Sequence, residues 1–394
     1  MILQFSGFLT ASYLCKICYL CDVVCKVIKK EQNPNRKMST NLKSVLVGMS
    51  GGIDSTAVCE MLLRDGYRVV GLTLITCEAS LSAAEAAVEL ARKLNIEHHI
   101  ADVRDEFRAQ VVQPFIDSYL SGYTPNPCVN CNPVMKFRLL QEWADKMQCE
   151  KIATGHYVKI KSINGKYYIV TGDDSRKDQS YFLWKLTQEQ LSRCIFPLGE
   201  WEKENVRTYL QSLGHKLLAG GGESMEVCFI PGDYRDFLRN NIPDVDSVIR
   251  EGSFVDAEGR IIGTHRGSPY YTIGQRKGLG IALGHPAYVI RINAAKNTVM
   301  LGCEDDLKTR YMLVETPVWV DNAPADGLSV RVRYRSVPIA CDTPVNVAEG
   351  LWLVTLHSEA SAITPGQSAV FYVGNMLVGG AFIASQRGIA QWIK

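Results

Sequence analysis

At 394 residues the chain exceeds one ordinary hydrophobic core, so two or three domains are expected. Its 43 Lys and Arg nearly balance 41 Asp and Glu, and residues 1–37 hold six of those bases and two of the acids; the remaining 37 bases and 39 acids exclude a global positive field, so a nucleic acid must be met by local basic patches. Thirteen cysteines at this length make no disulfide scaffold, no convincing secretory signal precedes them, and no uncharged apolar run reaches the roughly 18 residues of a membrane span, so a cytoplasmic protein without a membrane partner is expected.

In residues 1–37, Cys15, Cys18, Cys21 and Cys25 follow a C-x2-C-x2-C-x3-C spacing that also occurs in iron–sulfur ligand runs. Lys26 stands where a proline usually follows, and Met38-Ser39-Thr40-Asn41 reads as an ordinary chain start. Residues 1–40 are therefore expected to be a disordered extension or the product of a misplaced start. From Ser44 the pattern alternates apolar runs with amphipathic stretches. Strands are predicted at Ser44–Gly48, Arg68–Ile75, Glu97–Ala101 and Lys151–Thr154, and helices at Ser55–Asp65, Leu81–Leu94, Arg104–Leu120 and Phe137–Met147. This is the α/β pattern of a doubly wound parallel sheet, assigned to residues 41–218. A hairpin is expected around Asn164-Gly165, and a helix at Glu202–Leu213 closes the region.

Between the first strand and the first helix lies Ser50-Gly51-Gly52-Ile53-Asp54-Ser55. Adjacent glycines let backbone N–H groups crowd around an anion, hydroxyls add donors, and the helix presents its N-terminal dipole. No lysine follows the glycines, unlike a Walker A loop, so transfer of a terminal phosphate is not the expected chemistry. The stretch resembles the pyrophosphate loop of the PP-loop ATPases, which adenylate a carbonyl oxygen and release pyrophosphate. Further on, Thr124-Pro125-Asn126-Pro127-Cys128-Val129-Asn130-Cys131-Asn132 reads as a rigid, proline-bracketed loop presenting two thiols. A structural zinc site would need two more ligands, and no second C-x-x-C lies beyond Met38, so cysteine chemistry is favoured and no resident metal is expected.

Ala219-Gly220-Gly221-Gly222 breaks the pattern and suits a hinge, placing a domain boundary there. A small α+β central domain is expected over 219–285. It carries Cys228, strands alternating around Glu258-Gly259, and a glycine-rich loop at Gly274–Gly284 with Arg276 and Lys277. From 286 to 394, short alternating strands with turns at Asn293-Ala294, Asn322–Gly327, Glu349-Gly350 and Gly374-Asn375 predict an antiparallel β-barrel or sandwich.

Taken in order, these features resemble the tRNA-specific 2-thiouridylases from about Leu46 onward. The resemblance rests on the 50–55 loop, Thr124-Pro125-Asn126-Pro127 with Cys131-Asn132 and Lys136-Phe137, and Ala153-Thr154-Gly155-His156-Tyr157. Further matches are Lys177-Asp178-Gln179-Ser180-Tyr181-Phe182-Leu183, Cys228-Phe229-Ile230, Thr272–Gly280, Arg333-Tyr334-Arg335 and Thr364-Pro365-Gly366-Gln367. It implies ATP-dependent 2-thiolation of the wobble uridine of tRNA, with Mg2+ accompanying ATP. The ATP site would comprise Gly48, Met49, Ser50, Gly51, Gly52, Ile53, Asp54, Ser55, Leu74 and Gly155. Cys228 would receive sulfur as a persulfide and Cys131 would assist its transfer and end in a disulfide with it, both with lowered thiol pKa values. Asn126, Pro127, Cys128 and His156 are the matching positions for a flipped base, and Lys177, Asp178, Gln179, Arg333, Tyr334 and Gln367 for other tRNA contacts. Implied partners are the anticodon stem-loop of Lys, Glu and Gln acceptor tRNAs and a cysteine desulfurase or sulfur-relay protein. Two departures stand out: Cys128 occupies a position where many members carry Asp as a general base, and the segment Ile75–Ser80 is shorter than usual. A ligase or amidotransferase acting on a small carboxylate would use the same loop without Cys131 or Cys228. A sulfur-carrier or RNA-binding relative with altered catalysis is the third reading.

Overall fold

A computed structural model describes residues 43–215, 227–324 and 326–393. The expectations for residues 1–40 and for the hinge at Ala219–Gly222 lie outside the described residues. The first sheet is built from β1 (Ser44–Gly48), β2 (Arg68–Ile75), β3 (Glu97–Asp102) and β4 (Lys151–Ala153). After the hairpin β5 (Val158–Ile163) and β6 (Lys166–Thr171), β7 (Cys194–Ile195) completes it. Its order is β3-β2-β1-β4-β7, and every pair is parallel. β1 is central and covered on both faces, which is why its sequence is a continuous apolar run. Val45 and Val47 join one core with Ala57, Met61, Leu90 and Val206, while Leu46 joins a second with Val70, Phe137, Leu140 and Ile152. Helix α1 (Ile53–Arg64) and helix α2 (Leu81–Leu94) pack into the first of these cores. The chain leaves β1 toward β2 on one side and reaches β4 on the other, so the 50–55 loop sits at the topological switch point.

Residues 127–146 differ from the expected loop followed by a helix at 137: they are helical throughout, with a wide turn at Asn132–Phe137. Asn126 caps the start, its Oδ1 accepting the Cys128 N–H at 3.2 Å, and Pro127 occupies the first turn, where its missing N–H costs nothing. The widened turn accommodates Pro133, which a tighter helix would reject.

The central sheet, order β10-β11-β8-β9, comprises β8 (Gly252–Val255), β9 (Ile261–His265), β10 (Tyr288–Asn293) and β11 (Thr298–Gly302). The boundary expected at 285 runs through it, because β11 returns to pair with β8 in parallel, Thr298 opposite Ser253. The C-terminal strands are β12 (Lys308–Glu315), β13 (Val318–Trp319), β14 (Leu328–Arg331), β15 (Ile339–Ala340), β16 (Val345–Ala348), β17 (Leu351–Ser361), β18 (Ser368–Val373) and β19 (Met376–Phe382). They form the antiparallel sheets β12-β17-β16 and β15-β14-β18-β19, joined into a barrel by bridges Val314 to Ile383 and Cys341 to Leu356 around Met312, Val330, Leu356 and Phe371. β19 also meets β6 of the first domain's hairpin.

A buried carboxylate fastens that junction. Asp178 is 3% exposed and accepts from the N–H groups of Gly172 and Ser180, from Ser180 Oγ at 2.9 Å and from Arg331 Nη1 of β14 at 2.8 Å. Beside it Ser180 Oγ lies 3.0 Å from the Tyr372 hydroxyl, Tyr181 donates to the Ser368 carbonyl at 2.9 Å, and Trp184 Nε1 donates to Ser368 Oγ at 3.0 Å. Truncating one partner of a buried ion pair leaves the other uncompensated, so Asp178→Ala is expected to lower unfolding stability by about 3 kcal/mol or more. Urea denaturation tests this, and a loss no larger than that of an exposed ion pair would contradict the brace.

Candidate active site

The loop at the C-terminal end of β1 is shaped by close approach. Gly51 has φ +67°, and a Cβ there would lie 2.4 Å from the Ala83 carbonyl oxygen and 2.9 Å from the Ala86 Cβ of α2. Gly155, at the end of β4, brings the chain against Asp54: a Cβ would meet the Asp54 Cβ at 2.8 Å. Ser55 Oγ accepts the Ser50 N–H at 3.2 Å and donates to the Gly52 carbonyl at 3.1 Å, tying the loop ends together. Gly52 begins α1 with no side-chain cap. The first-turn N–H groups of a helix have no intrahelical acceptor, so this end is fitted to an anion. Met49 is buried, its N–H donating to the Leu72 carbonyl at 2.8 Å and its carbonyl accepting from Thr73 Oγ1 at 2.9 Å. Gly48 leaves room for Leu140, and Leu74 is partly buried between two apolar cores.

Asp54 has two partners that sequence reasoning missed. Its Oδ1 accepts the Tyr157 hydroxyl and Lys203 Nζ, each at 2.7 Å. Lys203 is buried at the first turn of the helix Lys203–Ser212, and its own N–H donates to buried Asp174. A cation in a first helical turn opposes the helix dipole, and that misplacement was the one local signal that Lys203 serves something outside its helix.

The thiols gather elsewhere in the same unit. Cys128 and Cys131 stand three residues apart on the 127–131 helix, hence on one face. Cys131, Cys77 and Val227 border the apolar core that contains Phe229 and Ile230, so the residues just before and just after Cys228 both pack there. Val129 and Phe137 point into the opposite core, while Asn130 Oδ1 accepts Lys185 Nζ at 2.7 Å and Asn132 Nδ2 donates to the Phe182 carbonyl at 3.1 Å. The expected lowering of thiol pKa is reversed. Burial pushes Cys131 up to about 11, with Lys136 pulling down and Cys128 adding to the rise. Cys228 reaches solvent on one side, yet burial among its neighbours, then the thiols of Cys128 and Cys131, push it up to about 12 against Lys136. Cys128 is also raised by burial, the wrong direction for a base in the place of a carboxylate. Among the described residues no group of three or more His, Cys, Asp or Glu is placed to hold a metal ion.

Several residues expected to touch tRNA are engaged inside the protein. Buried His156 lies 2.7 Å from Thr154 Oγ1 and stacks on Phe137, and burial followed by Lys136 holds its pKa well below the usual range, so it is neutral. Gln179 brackets Tyr157 through backbone and side chain, and Asp178 is the brace described above. Arg333 Nη2 donates to the Ala362 carbonyl at 2.6 Å, Tyr334 leans on Phe182, and Gln367 Nε2 donates to the Thr124 carbonyl at 2.8 Å. Lys177 is half-buried at the turn closed by its N–H on the Asp174 carbonyl. Asn126 and Pro127 begin the thiol-bearing helix.

Known proteins bear on this arrangement. Residues 43–232 match a family profile described as tRNA methyl transferase HUP domain, 235–303 a tRNA methyl transferase PRC-barrel domain, and 309–383 an aminomethyltransferase beta-barrel domain. The chain is 56% identical over 365 residues to tRNA-specific 2-thiouridylase MnmA 3 of Phocaeicola vulgatus, covering 89% of this chain and 97% of that one. It is 56% identical over 360 residues to the protein of the same name from Bacteroides fragilis, covering 91% and 98%. The tRNA-specific 2-thiouridylase MnmA of Heliobacterium modesticaldum is 42% identical over 360 residues, covering 86% and 92%.

Two outcomes are expected from the geometry. Gly51→Ala combines a left-handed backbone with a steric clash, so it should weaken ATP binding tenfold or more in calorimetry, at about 1–3 kcal/mol of local strain; unchanged affinity would contradict the packing of the loop on α2. Lys136 lowers the thiol pKa values, so Lys136→Gln should raise them and shift the pH profile of Cys131 alkylation by iodoacetamide toward higher pH. A profile that does not move would remove Lys136 from the thiol field.

Proposed function

The chain belongs to the tRNA-specific 2-thiouridylase family, and from that membership we propose how its own residues divide the 2-thiolation of the wobble uridine of tRNA. The observation that carries the reading is a lysine-free anion loop and a set of convergent thiols within one folded unit. A uracil C2 carbonyl is a poor electrophile because its oxygen leaves badly. ATP supplies the remedy: its α-phosphorus goes to that oxygen, pyrophosphate departs, and AMP becomes the leaving group. Ser50, Gly51, Gly52 and the first turn of α1 hold the departing pyrophosphate with N–H and O–H donors. Lys203, already against the loop at Asp54, adds the positive charge that a Walker lysine would bring. Asp54 and the Ser55 hydroxyl are the oxygen donors fitted to Mg2+, which would neutralise polyphosphate charge.

Sulfur arrives as a persulfide on Cys228, delivered by a cysteine desulfurase or relay protein. The terminal sulfur attacks C2, AMP leaves with the oxygen, and Cys131 attacks the Cys228 sulfur, so two thiols become one disulfide and the transferred sulfur is reduced to the thiocarbonyl level. Among the tRNA-facing positions, half-buried Lys177 and the entrance of the 127–131 helix at Asn126 and Pro127 offer contacts, whereas Asp178, Gln179 and His156 shape the site from within. The substrates are the Lys, Glu and Gln acceptor tRNAs, and the protein works in the cytoplasm.

Cys228→Ser should abolish 2-thiouridine formation on a tRNA transcript, measured by nucleoside mass spectrometry, while tRNA-stimulated pyrophosphate release persists. Full thiolation by that variant would refute the persulfide role, and pyrophosphate release indifferent to tRNA would favour a ligase acting on a small carboxylate.

A further inference from the structure

Cys128 has no task in the scheme above. It stands where a general base would be expected, but burial moves its thiol away from that role. Its position has a different consequence. Cys128 and Cys131 form a C-x-x-C pair on one helical turn, and residues three apart in a helix have Cβ atoms about 5–6 Å apart on the same face, within reach of a disulfide after a modest adjustment. The pair is held at both ends: Asn126 fixes the Cys128 N–H, and buried Val129 and Asn132 anchor the turn. Cys228 borders the same ground, close enough that the thiols of Cys128 and Cys131 both act on it electrostatically. Cys131 is therefore flanked by two thiols, one on its own helix and one on a separate segment.

We propose that Cys128 resolves the disulfide left by sulfur transfer, taking Cys131 over from Cys228, so that a turnover ends with Cys128 joined to Cys131 and Cys228 free. The inference rests on the proposed Cys131–Cys228 disulfide. In the exchange, the Cys128 sulfur attacks the Cys131 sulfur, the Cys131–Cys228 bond breaks, and its electron pair leaves on Cys228, which takes up the proton lost by Cys128. One disulfide is exchanged for another with no net oxidation. A thiol reductant of the glutathione or thioredoxin class then returns the C-x-x-C pair to two thiols. Cys228 is thus ready for a new sulfur atom without a reductant having to reach it, and a reductant at Cys228 would also strip the persulfide. Lys136, which lowers the pKa of all three thiols, lies where it favours each transient thiolate in turn.

The test uses the full chain charged with sulfane sulfur from inorganic polysulfide, desalted, and given ATP, Mg2+ and a tRNA transcript without reductant. After acid quenching and alkylation, peptide mapping should find Cys128 bonded to Cys131 and Cys228 alkylated. In Cys128→Ser the disulfide should instead join Cys131 to Cys228, and repeated turnover in limiting reductant should be slowed tenfold or more relative to that variant's own first turnover. Cys77→Ser, a thiol on the border of the same core, serves as the control and should leave the wild-type pattern unchanged. A Cys131–Cys228 bond persisting in the wild type, or wild-type multiple turnover by Cys128→Ser, would overturn the proposal and leave the persulfide reading standing. Thiolation by Cys228→Ser would overturn both.

Discussion

The Asp178 carboxylate is the fixed point from which much of this molecule is positioned. Removed from water, a carboxylate is tolerated only when its lone pairs are filled, and here two backbone N–H groups, a serine hydroxyl and Arg331 fill them. Because Arg331 comes from the barrel, satisfying Asp178 requires the barrel to dock. Docking then brings the Thr364–Gln367 turn against the chain entering the thiol helix: Pro365 accepts the Thr124 N–H at 2.9 Å, and Gln367 donates to the Thr124 carbonyl. Gly366 permits the approach, since a Cβ there would sit about 3 Å from Thr124 backbone atoms. The barrel thus fixes the start of the helix that carries Cys128 and Cys131.

The thiols show what that placement does to reactivity. Burial holds Cys131 and Cys228 protonated at neutral pH, and one lysine opposes it. A protonated thiol is a poor nucleophile and a poor target for oxidants, so the resting enzyme keeps its cysteines quiet. The balance shifts when charge or water is rearranged around them: added negative charge reinforces the protonated state, and restored water weakens it.

How far this was legible in the sequence follows from the range of each interaction. The central strands and the anion loop were readable because their determinants are local: β1 is apolar throughout since both faces are covered, and Gly51 is the residue its left-handed turn demands. The 127–131 helix was misread as a loop because prolines at 125, 127 and 133 look like breakers, although Pro127 in a first turn after Asn126 signals a helix start. The central sheet crossed its expected boundary because β11 pairs back to β8, a long-range choice invisible to local periodicity. Asp178, Gln179 and Gln367 carried a family signal, but the sequence could not separate contact with RNA from support of the residues that make it.

Lys203 is the sharpest case of long range. It lies 149 residues from Asp54, yet their atoms meet at 2.7 Å, and each sits in the first turn of its own helix. The aspartate suits its helix dipole and the lysine opposes its own, so part of what holds Lys203 is the carboxylate across the gap. A polyphosphate in the loop carries more negative charge than Asp54 and would compete for the same ammonium group. A lysine inside the loop would be bound to one side of the nucleotide by its backbone. One delivered from another helix would answer to charge and distance, and would release a carboxylate if it moved. A lysine absent from the loop sequence is thus present in space, delivered to Asp54 by the helix that closes the first domain.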